Sequence, residues 1–253
     1  MLNPFNQSPI YLVDTVDTTM RKAKELYAET KTGGLVLTAR HQVSGRGRIE
    51  KRQWVDSPGE SLLFTIILDS SQISFPAEQL PLRAGIAVSH AVEISTGIKS
   101  MIKWPNDILI GNRKVCGLLC ESTFKSYAIG IGINVNQKIF AGVPTNSSLR
   151  EPTSLRLEGG LFADPLELLP QILESLNWSF YLKTWKDYIE QRLYRLGEAI
   201  SIVTGEATED GRVSSTGNVV TGILRGLDDY GGLIIEDDKK TTVWYSGEYQ
   251  TGL

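Results

Sequence analysis

Residues 45–54 read Gly-Arg-Gly-Arg-Ile-Glu-Lys-Arg-Gln-Trp, and the rest of the chain is organised around this stretch. Four basic residues fall within its first eight positions, and a glycine precedes each of the first two arginines. Glycine lets a backbone approach a ligand closely, and arginine offers a planar fork of donors that suits a carboxylate or a phosphate. The stretch therefore predicts a loop that grips an anion, with a solvated basic loop as the alternative.

The composition is that of an ordinary globular protein. The chain has 253 residues, of which 41% are hydrophobic and 22% charged, and its net charge is -3. This length suits one sizeable domain with a smaller companion. A nucleic-acid-binding protein would normally be basic, so the charge argues against DNA as a partner. No apolar run approaches the ~20 residues that span a bilayer, and no signal peptide opens the chain, so we expect a soluble cytoplasmic protein without a membrane partner.

The cysteines and histidines do not predict a metal site. Cys116 and Cys120 lie in a predicted buried strand, and His41 and His90 are far from them in sequence. Zinc ligands recur at short, characteristic spacings, which this set lacks. We therefore predict no protein-held metal, and interpret the thiols as small buried side chains.

Upstream of the basic stretch, the sequence predicts a strand, a helix and a second strand. The first strand covers residues 10–13. Asp17-Thr18-Thr19 supplies capping side chains to a helix that carries Met20 and ends at Gly33-Gly34. The second strand, residues 35–39, leads into His41, Gln42 and the basic loop. Residues 1–9 are expected to lack a fixed structure.

Downstream, a helix and several closely spaced strands predict an α+β fold with a mixed, largely antiparallel sheet. The helix covers residues 78–95 and stops at Gly97. Residues 137–160 predict a long irregular loop that is either functional or mobile. Asp164 and Pro165 begin a helix that runs towards Arg195. The strands are expected at residues 61–68, 101–104, 108–110, 115–120 and 127–135.

The last ~55 residues change character, since they consist of short apolar stretches separated by turns. These stretches lie at residues 199–203, 219–224, 232–236 and 241–245. Their spacing predicts a small β-barrel. We therefore divide the chain at Gly197 into a domain of residues 1–196 and a domain of residues 197–253.

Three segments together resemble the biotin protein ligase family. The first is Gln42 with the Gly-Arg-Gly-Arg run and Trp54. The second is Lys-Trp-Pro-Asn-Asp at residues 103–107 with Lys114 and Gly117, and the third is Gly-Ile-Gly-Ile-Asn at residues 130–134. Asp17-Thr18-Thr19 before a helix is a weaker match. The order and spacing of these segments fit the family from about residue 10 to the end of the chain.

The resemblance implies both a fold and an activity. Residues 1–196 would form a catalytic domain related to class II aminoacyl-tRNA synthetases, and residues 197–253 a domain like SH3. The family joins biotin to ATP, with Mg²⁺, as biotinyl-5′-adenylate and then transfers biotin to one lysine of a biotin carboxyl carrier protein, with acetyl-CoA carboxylase as the default acceptor. The chain looks like the ligase-only branch without an N-terminal DNA-binding domain, and a homodimer is possible within the family.

The resemblance also assigns the residues of the site. Arg46, Arg48, Lys114 and Lys103 are the expected catalytic residues. The expected biotin-binding residues are Thr18, Thr19, Met20, Gln42, Arg46, Gly47, Arg48, Lys114 and Gly117. The expected ATP- and adenylate-binding residues are Arg48, Trp54, Asn106, Asp107 and Asn134. For Trp54 the alternative is a packing role in the core, and for Lys114 it is a solvated position in a hairpin.

The sequence departs from the family pattern at several points. Residues 49–51 lengthen the basic loop by one residue and lack the family's glycine, so we expect a less tightly ordered loop with altered adenylate retention. Met20 stands where the family favours asparagine. Two rival functions remain, a lipoate or octanoate protein ligase or transferase of the same fold, and a biotin-adenylate sensor without turnover. An octanoyl transferase would need a nucleophilic cysteine, and neither Cys116 nor Cys120 is placed for that role.

Overall fold

Two β-sheets and four α-helices make up most of the chain that the structure describes. The computed structural model describes residues 3–49, 52–123, 125–140, 151–205, 217–238 and 240–249. The strands of the large sheet are β1 (Ile10–Val16), β2 (Val36–Gln42), β3 (Ser61–Asp69), β4 (Met101–Lys103), β5 (Asp107–Ile110), β6 (Arg113–Ser122) and β7 (Ser126–Asn134). The helices are α1 (Thr19–Thr30), α2 (Leu80–Thr96), α3 (Leu169–Tyr181) and α4 (Trp185–Glu190).

The large sheet is mixed and largely antiparallel, which confirms the predicted α+β class. Its strand order is β1-β2-β3-β7-β6-β5-β4. β1 and β2 run parallel, and every other neighbouring pair in this order is antiparallel. The strands predicted downstream of the basic loop are all present, with small differences at their ends.

The apolar run of β3 is buried on both faces of the sheet. Side chains alternate across a strand, so Phe64 and Ile66 pack into the main core with α2 and α3. Ile67 points to the other face and packs in a smaller cluster with Met20 and Ala23 of α1. Helices on both faces explain why this stretch is nearly continuously apolar.

The predicted caps of two helices are confirmed. Thr18 caps α1, since its Oγ1 accepts a hydrogen bond from Arg21 N at 3.0 Å. The α2 helix ends at Gly97, which has the left-handed φ of 72° that favours glycine. The α1 helix stops earlier than predicted, because Lys31 adopts a left-handed φ of 54° and its N–H bonds Tyr27 O at 2.8 Å.

Two other predictions are wrong. Residues 3–9 are packed, since Phe5 is buried in the main core and Asn3 Nδ2 donates to Gly34 O at 2.7 Å. The helix expected from Pro165 to Arg195 is broken. A 3₁₀ turn at Pro165–Leu168 precedes α3, and an extended Leu182 separates α3 from α4. Buried Arg83 donates to the carbonyl oxygens of Ser179 and Leu182, which stabilises this break.

The second sheet is formed by the C-terminal strands. In order along the sheet they are β11 (Thr241–Trp244), β10 (Leu233–Glu236), β9 (Val219–Leu227), β8 (Ala199–Val203) and β12 (Glu248–Tyr249). Within the described residues, no hydrogen-bonded pairing joins β11 to β12, so no closed barrel is found there. The sheet packs on the rest of the protein, because Ile202, Leu224 and Tyr249 belong to the same apolar cluster as α2 and α3. The division at Gly197 stays a prediction.

No helix in the described part of the chain is long and apolar enough to cross a membrane.

Candidate active site

A cleft lies on the α1 face of the large sheet, above glycines of β6 and β7. Gly117 pairs with Gly132 across these strands, and Gly130 pairs with Leu119. The Trp54 ring covers these glycines, which we call the glycine strip. A Cβ atom at Gly132 would lie 2.8 Å from Trp54 Cε2, and one at Gly117 would lie 2.9 Å from Cζ3. Glycine at these positions is therefore what gives the indole and a ligand access to the sheet.

The residues that line the cleft come from the start of α1, from strands β2, β3, β6 and β7, from the turn before β5 and from the basic loop. They are Thr18, Thr19, Met20, Gln42, Arg46, Gly47, Arg48, Trp54, Thr65, Asn106, Lys114, Gly117, Leu118, Leu119, Gly130, Ile131 and Gly132.

One end of the cleft carries uncharged hydrogen-bonding groups. Gln42 Oε1 accepts hydrogen bonds from Thr19 N at 2.6 Å and from Thr19 Oγ1 at 3.0 Å. Thr65 Oγ1 donates to Thr19 Oγ1 at 2.9 Å. Met20 completes this end with an apolar surface, its Cε lying 3.0 Å from the position of a Cβ on Gly130. The combination suits a flat polar ring that has apolar faces.

Gln42 is held from behind by a buried carboxylate. The Asp56 side chain is fully buried, and its Oδ1 accepts from Gln42 N at 3.3 Å. Its Oδ2 lies 3.0 Å from His41 Nδ1. Asp56 therefore fixes the last residues of β2, just before the chain enters the basic loop.

The basic loop forms a hairpin in its described part. Arg46 faces Gln53 in an antiparallel bridge, Gly47 N donates to Arg52 O at 3.0 Å, and Trp54 N donates to Gly45 O at 2.9 Å. Glu50 and Lys51, at which the sequence departs from the family, lie outside the described residues. The expected effect of that departure on adenylate retention stays a prediction.

The loop delivers two arginines and one tryptophan to the cleft. Arg46 is exposed, whereas Arg48 is half-buried and donates from Nη2 to Gly247 O at 2.7 Å. Burial lowers the pKa of the Arg48 guanidinium. Within the described residues, Arg48 Nε and Trp54 Nε1 are buried donors without a hydrogen-bond partner. Because unpaired buried donors are costly, the two favour a ligand that brings acceptor atoms.

A partly buried carboxylate, that of Asp107, positions Lys114 in the cleft. Asp107 Oδ1 lies 2.7 Å from Lys114 Nζ, and Asp107 Oδ2 lies 4.0 Å from Lys103 Nζ. Burial alone would raise the pKa of the Asp107 carboxyl, but Lys114, Lys103 and Arg48 outweigh it and hold that pKa below its ordinary value of 3.8. Asp107 therefore stays ionised and orients Lys114, whose ammonium also lies 5.7 Å from the centre of the Trp54 ring.

The basic loop is fastened to the C-terminal sheet. Besides the bond from Arg48 to Gly247 O, Arg52 Nη1 forms an ion pair with Glu248 Oε1. We call these two contacts the clasp. They join residues that are separated by 199 and 196 positions in the sequence.

The two predicted asparagines lie in different places. Asn106 lines the cleft and donates from Nδ2 to Leu118 O at 2.7 Å. Asn134 is buried outside it, and its Nδ2 donates to Thr153 O at 2.9 Å. Thr153 belongs to the well-packed edge of the predicted 137–160 loop, of which residues 141–150 lie outside the described residues.

The structure brings most of the predicted site together. Eleven of the fourteen predicted residues line the cleft, and Lys103, Asp107 and Asn134 do not. Their individual roles stay predictions. Sequence reasoning left out Thr65, Leu118, Leu119, Gly130, Ile131 and Gly132 as site residues. The glycines were visible as a motif, and Thr65 as a lone hydroxyl within an apolar strand, whereas nothing in the sequence distinguished the leucines.

Neither cysteine lines this cleft. Cys116 is buried in the main core, and burial raises the pKa of its thiol well above the ordinary value. Burial also raises the pKa of Cys120, to about 12. A nucleophilic cysteine needs a lowered pKa, so neither thiol fits that role.

Comparison with known proteins agrees with this geometry. Residues 12–137 match the Biotin/lipoate A/B protein ligase family, and residues 212–249 match the Biotin protein ligase C terminal domain. The biotin–[acetyl-CoA-carboxylase] ligase of Paracoccus denitrificans is 32% identical over 87% of this chain and 90% of its own length. The bifunctional ligase/repressor BirA of Bacillus subtilis is 30% identical over 94% of this chain and 73% of its own length.

The fold is also that of a solved relative. The biotin protein ligase from Aquifex aeolicus in complex with biotin and ATP has a TM-score of 0.79 and 30% identity, covering 95% of this chain and 97% of that one. The fold and cleft thus define the class of biotin and lipoate ligases. Within that class, the chain belongs to the biotin protein ligase family.

Proposed function

We propose that this protein activates biotin with ATP and transfers it to a lysine of a biotin carboxyl carrier protein, with the acetyl-CoA carboxylase carrier as the expected acceptor. One observation carries the proposal. A single cleft has neutral hydrogen-bonding groups at one end, from Thr19 and Gln42, and cationic groups at the other, from Arg46, Arg48 and Lys114. Biotin has the matching polarity, a ureido ring at one end and a carboxylate at the other.

In the first step, a carboxylate oxygen of biotin attacks the α-phosphorus of ATP, and the bond to pyrophosphate breaks. The two reactants are both anions and repel each other. Lys114 would hold the carboxylate as a compact point charge, and Arg48 would follow the charge that develops on the phosphate. Alignment of the two groups supplies several kcal/mol of the barrier reduction, on the order of that found for well-oriented reactants.

Asp107 contributes to this step through Lys114. Because its carboxylate stays ionised and lies 2.7 Å from Lys114 Nζ, it holds the ammonium group in place. In the second step, the neutral amine of the acceptor lysine attacks the acyl carbon of the adenylate, the bond from that carbon to the phosphate oxygen breaks, AMP leaves, and the proton lost by the attacking nitrogen passes to solvent.

Mg²⁺ is expected to arrive on the phosphates of ATP, with few or no protein ligands. Asp107 does not fit as its ligand, since two ammonium groups already flank the carboxylate. In the described residues, no group of three or more His, Cys, Asp and Glu side chains could hold a metal ion.

The finer fold assignment is a proposal too, namely a catalytic domain like the class II synthetases and an SH3-like barrel. Curvature of the C-terminal sheet supports the barrel. Trp244 ends one outer strand and Glu248 begins the other, so they are joined by a chain that reaches about 14 Å at most. The outer strands of a flat five-stranded sheet would lie about 19 Å apart. The homodimer and the cytoplasmic location stay predictions.

The polar end of the cleft argues against lipoate and octanoate. A dithiolane ring or an alkyl chain offers no hydrogen bonds to Gln42 and Thr19, and would leave part of their polar surface unpaired. The raised pKa values of Cys116 and Cys120 further disfavour an octanoyl transferase.

A transfer assay tests the proposal. Purified protein is incubated with MgATP, labelled biotin and a biotin carboxyl carrier domain, with lipoate in a parallel reaction, and biotin-dependent ATP–pyrophosphate exchange is measured alongside. We expect label on the carrier with biotin alone. Transfer of lipoate would favour the sister activity, and tight biotin binding without exchange or transfer would favour a sensor.

A further inference from the structure

Thr65 is the only polar residue in the run from Leu62 to Leu68 of β3. It is fully buried and faces α1, where it lines the polar end of the cleft beside Gly130. Burying a hydroxyl is unfavourable unless hydrogen bonds compensate. The partners of this hydroxyl therefore decide what it does.

One backbone N–H fixes the direction of the hydrogen bonds around Thr65. Thr19 N lies 2.6 Å from the Gln42 side chain, and since an N–H can only donate, the facing atom is Oε1. Thr19 Oγ1 lies 3.0 Å from the same oxygen and must donate to it. It therefore accepts from Thr65 Oγ1, at 2.9 Å.

This leaves Thr65 as an acceptor towards the cleft. Its hydrogen is committed to Thr19, and no described residue donates to its oxygen. Gln42 instead offers a donor to the cleft, because its Oε1 already accepts from Thr19 and its Nε2 can only donate. Thr18 Oγ1 accepts from Arg21 N, so its own hydrogen is left to donate. The polar end thus offers one oriented acceptor and two donors, the complement of one N–H and the C=O of a cyclic urea.

We propose that Thr65 is a specificity-determining residue of the biotin site, whose Oγ1 accepts a hydrogen bond from a ureido N–H of the ligand. The inference rests on the proposed function and names a residue for its selectivity. A ligand without an N–H leaves the Thr65 oxygen buried and without a donor, and sites built for such a bond reject analogues that lack it.

The test compares three variants. Thr65→Val removes the hydroxyl at nearly constant shape, and Thr65→Ser keeps it. Thr38→Val is the matched control, because Thr38 is also a buried strand threonine, donates to Leu63 O at 2.9 Å and does not line the cleft. Biotin dissociation constants are measured by calorimetry, kcat by biotin-dependent pyrophosphate exchange, and folding by thermal unfolding.

We expect Thr65→Val to weaken biotin binding by roughly tenfold to a hundredfold, while kcat at saturating biotin changes by less than about threefold, since the reacting carboxylate binds at the other end. Thr65→Ser and Thr38→Val should stay within about threefold of wild type in affinity. Unchanged biotin affinity in Thr65→Val would overturn the inference.

A second ligand separates recognition from a merely structural role. In the two isomeric cyclic carbamate analogues of biotin, a ring oxygen replaces one ureido N–H. Wild type should bind one isomer much more weakly than biotin, and Thr65→Val should lose most of that discrimination. Equal losses for biotin and both carbamates in Thr65→Val would mean that Thr65 only supports Thr19. Absence of biotin binding and exchange in wild type would instead overturn the proposed function, and this inference with it.

Discussion

Arg48 reaches the cleft with part of its guanidinium uncommitted, since Nη2 bonds Gly247 O and Nε is buried without a partner in the described chain. We expect Arg48→Ala to slow adenylate formation by more than about tenfold, because a charged hydrogen bond to a reacting phosphate is worth ~1.5–3 kcal/mol. Single-turnover formation of biotinyl-adenylate measures this rate.

The matched control for Arg48 is Arg225→Ala, which removes an exposed arginine paired with Glu236 on the C-terminal sheet. It should leave the rate unchanged, because exposed ion pairs contribute little. A wild-type rate in Arg48→Ala would remove the basic loop from the mechanism.

The lowered pKa of Asp107 leads to a prediction of how the free energy of unfolding depends on pH. Its pKa is lowered in the folded protein, so the stabilisation that it gives is present above the ordinary carboxyl pKa of 3.8 and is lost as pH falls through the folded value. Asp107→Asn removes the carboxylate that pairs with the partly buried Lys114 and should cost up to about 3 kcal/mol of unfolding free energy at pH 7.

Urea unfolding of wild type and Asp107→Asn between pH 3 and pH 8 measures this difference. It should be constant above about pH 5 and shrink below about pH 4. Asp229→Asn serves as control, since its exposed pair with Lys186 should matter little at any pH. A difference that persists unchanged at pH 3 would contradict the assignment.

At the residue scale, the sequence predicted which residue types form the site better than it predicted where each side chain lies. The cluster of arginines and the resemblance placed Arg46, Arg48 and Lys114 in one site, and they share the cleft. Asn134 has the right motif, yet its amide is committed to Thr153 O. Sequence could not reveal this, because the partner belongs to an irregular loop.

At the scale of the elements, the glycine strip of β6 and β7 leads to a prediction that compares two glycine-to-alanine variants. In Gly132→Ala, the new Cβ would lie 2.8 Å from the Trp54 ring, which must then leave the strip. We expect the KM for biotin in pyrophosphate exchange to rise at least about tenfold, because the ring covers the cleft at this point, and we expect tryptophan fluorescence to change.

Gly85→Ala is the matched control within α2. Its new Cβ meets only side-chain atoms at 3.5 Å or more, which is ordinary contact. Alanine favours a helix interior over glycine, so this variant should be stabilised by up to about 1 kcal/mol with unchanged activity. Wild-type biotin kinetics in Gly132→Ala would show that the Trp54 position is not required.

Most elements could be predicted because their signals are local. The apolar run of β3 and the Thr18 cap each depend on a few adjacent residues. The break after α3 has no glycine or proline to mark it. It depends on Arg83, which bonds Ser179 O and Leu182 O from about a hundred residues away.

Across the whole molecule, the clasp is the feature that sequence could least reveal. Its partners lie at opposite ends of the chain, and neither Arg52 nor Glu248 differs in type from many solvated residues. The positions of the strands and the change of character after Gly197 were predictable from apolar runs and from the resemblance, whereas the order of the strands within the sheet was not predicted. The way in which the C-terminal sheet meets the basic loop required the folded structure.

From the clasp we predict that the C-terminal sheet helps to keep the basic loop ordered. Arg52 and Glu248 are both largely buried, so their ion pair restrains the loop before ligand arrives. In Glu248→Gln this restraint weakens, and ATP binding must order a looser loop. We therefore expect a severalfold higher KM for ATP and faster release of the adenylate, with biotin affinity nearly unchanged. Stopped-flow dissociation of labelled adenylate measures the release rate.

Two further variants separate this restraint from a general loss of stability. Glu236→Gln removes the acid of the exposed pair with Arg225 on the C-terminal sheet and should change neither the KM for ATP nor adenylate release. The reversed pair Arg52→Glu with Glu248→Arg should recover part of the loss, since opposite charges again face each other between the basic loop and the C-terminal sheet. If Glu248→Gln kept the wild-type release rate, the loop would be ordered by its own hairpin, and the C-terminal sheet would have no part in retaining the adenylate.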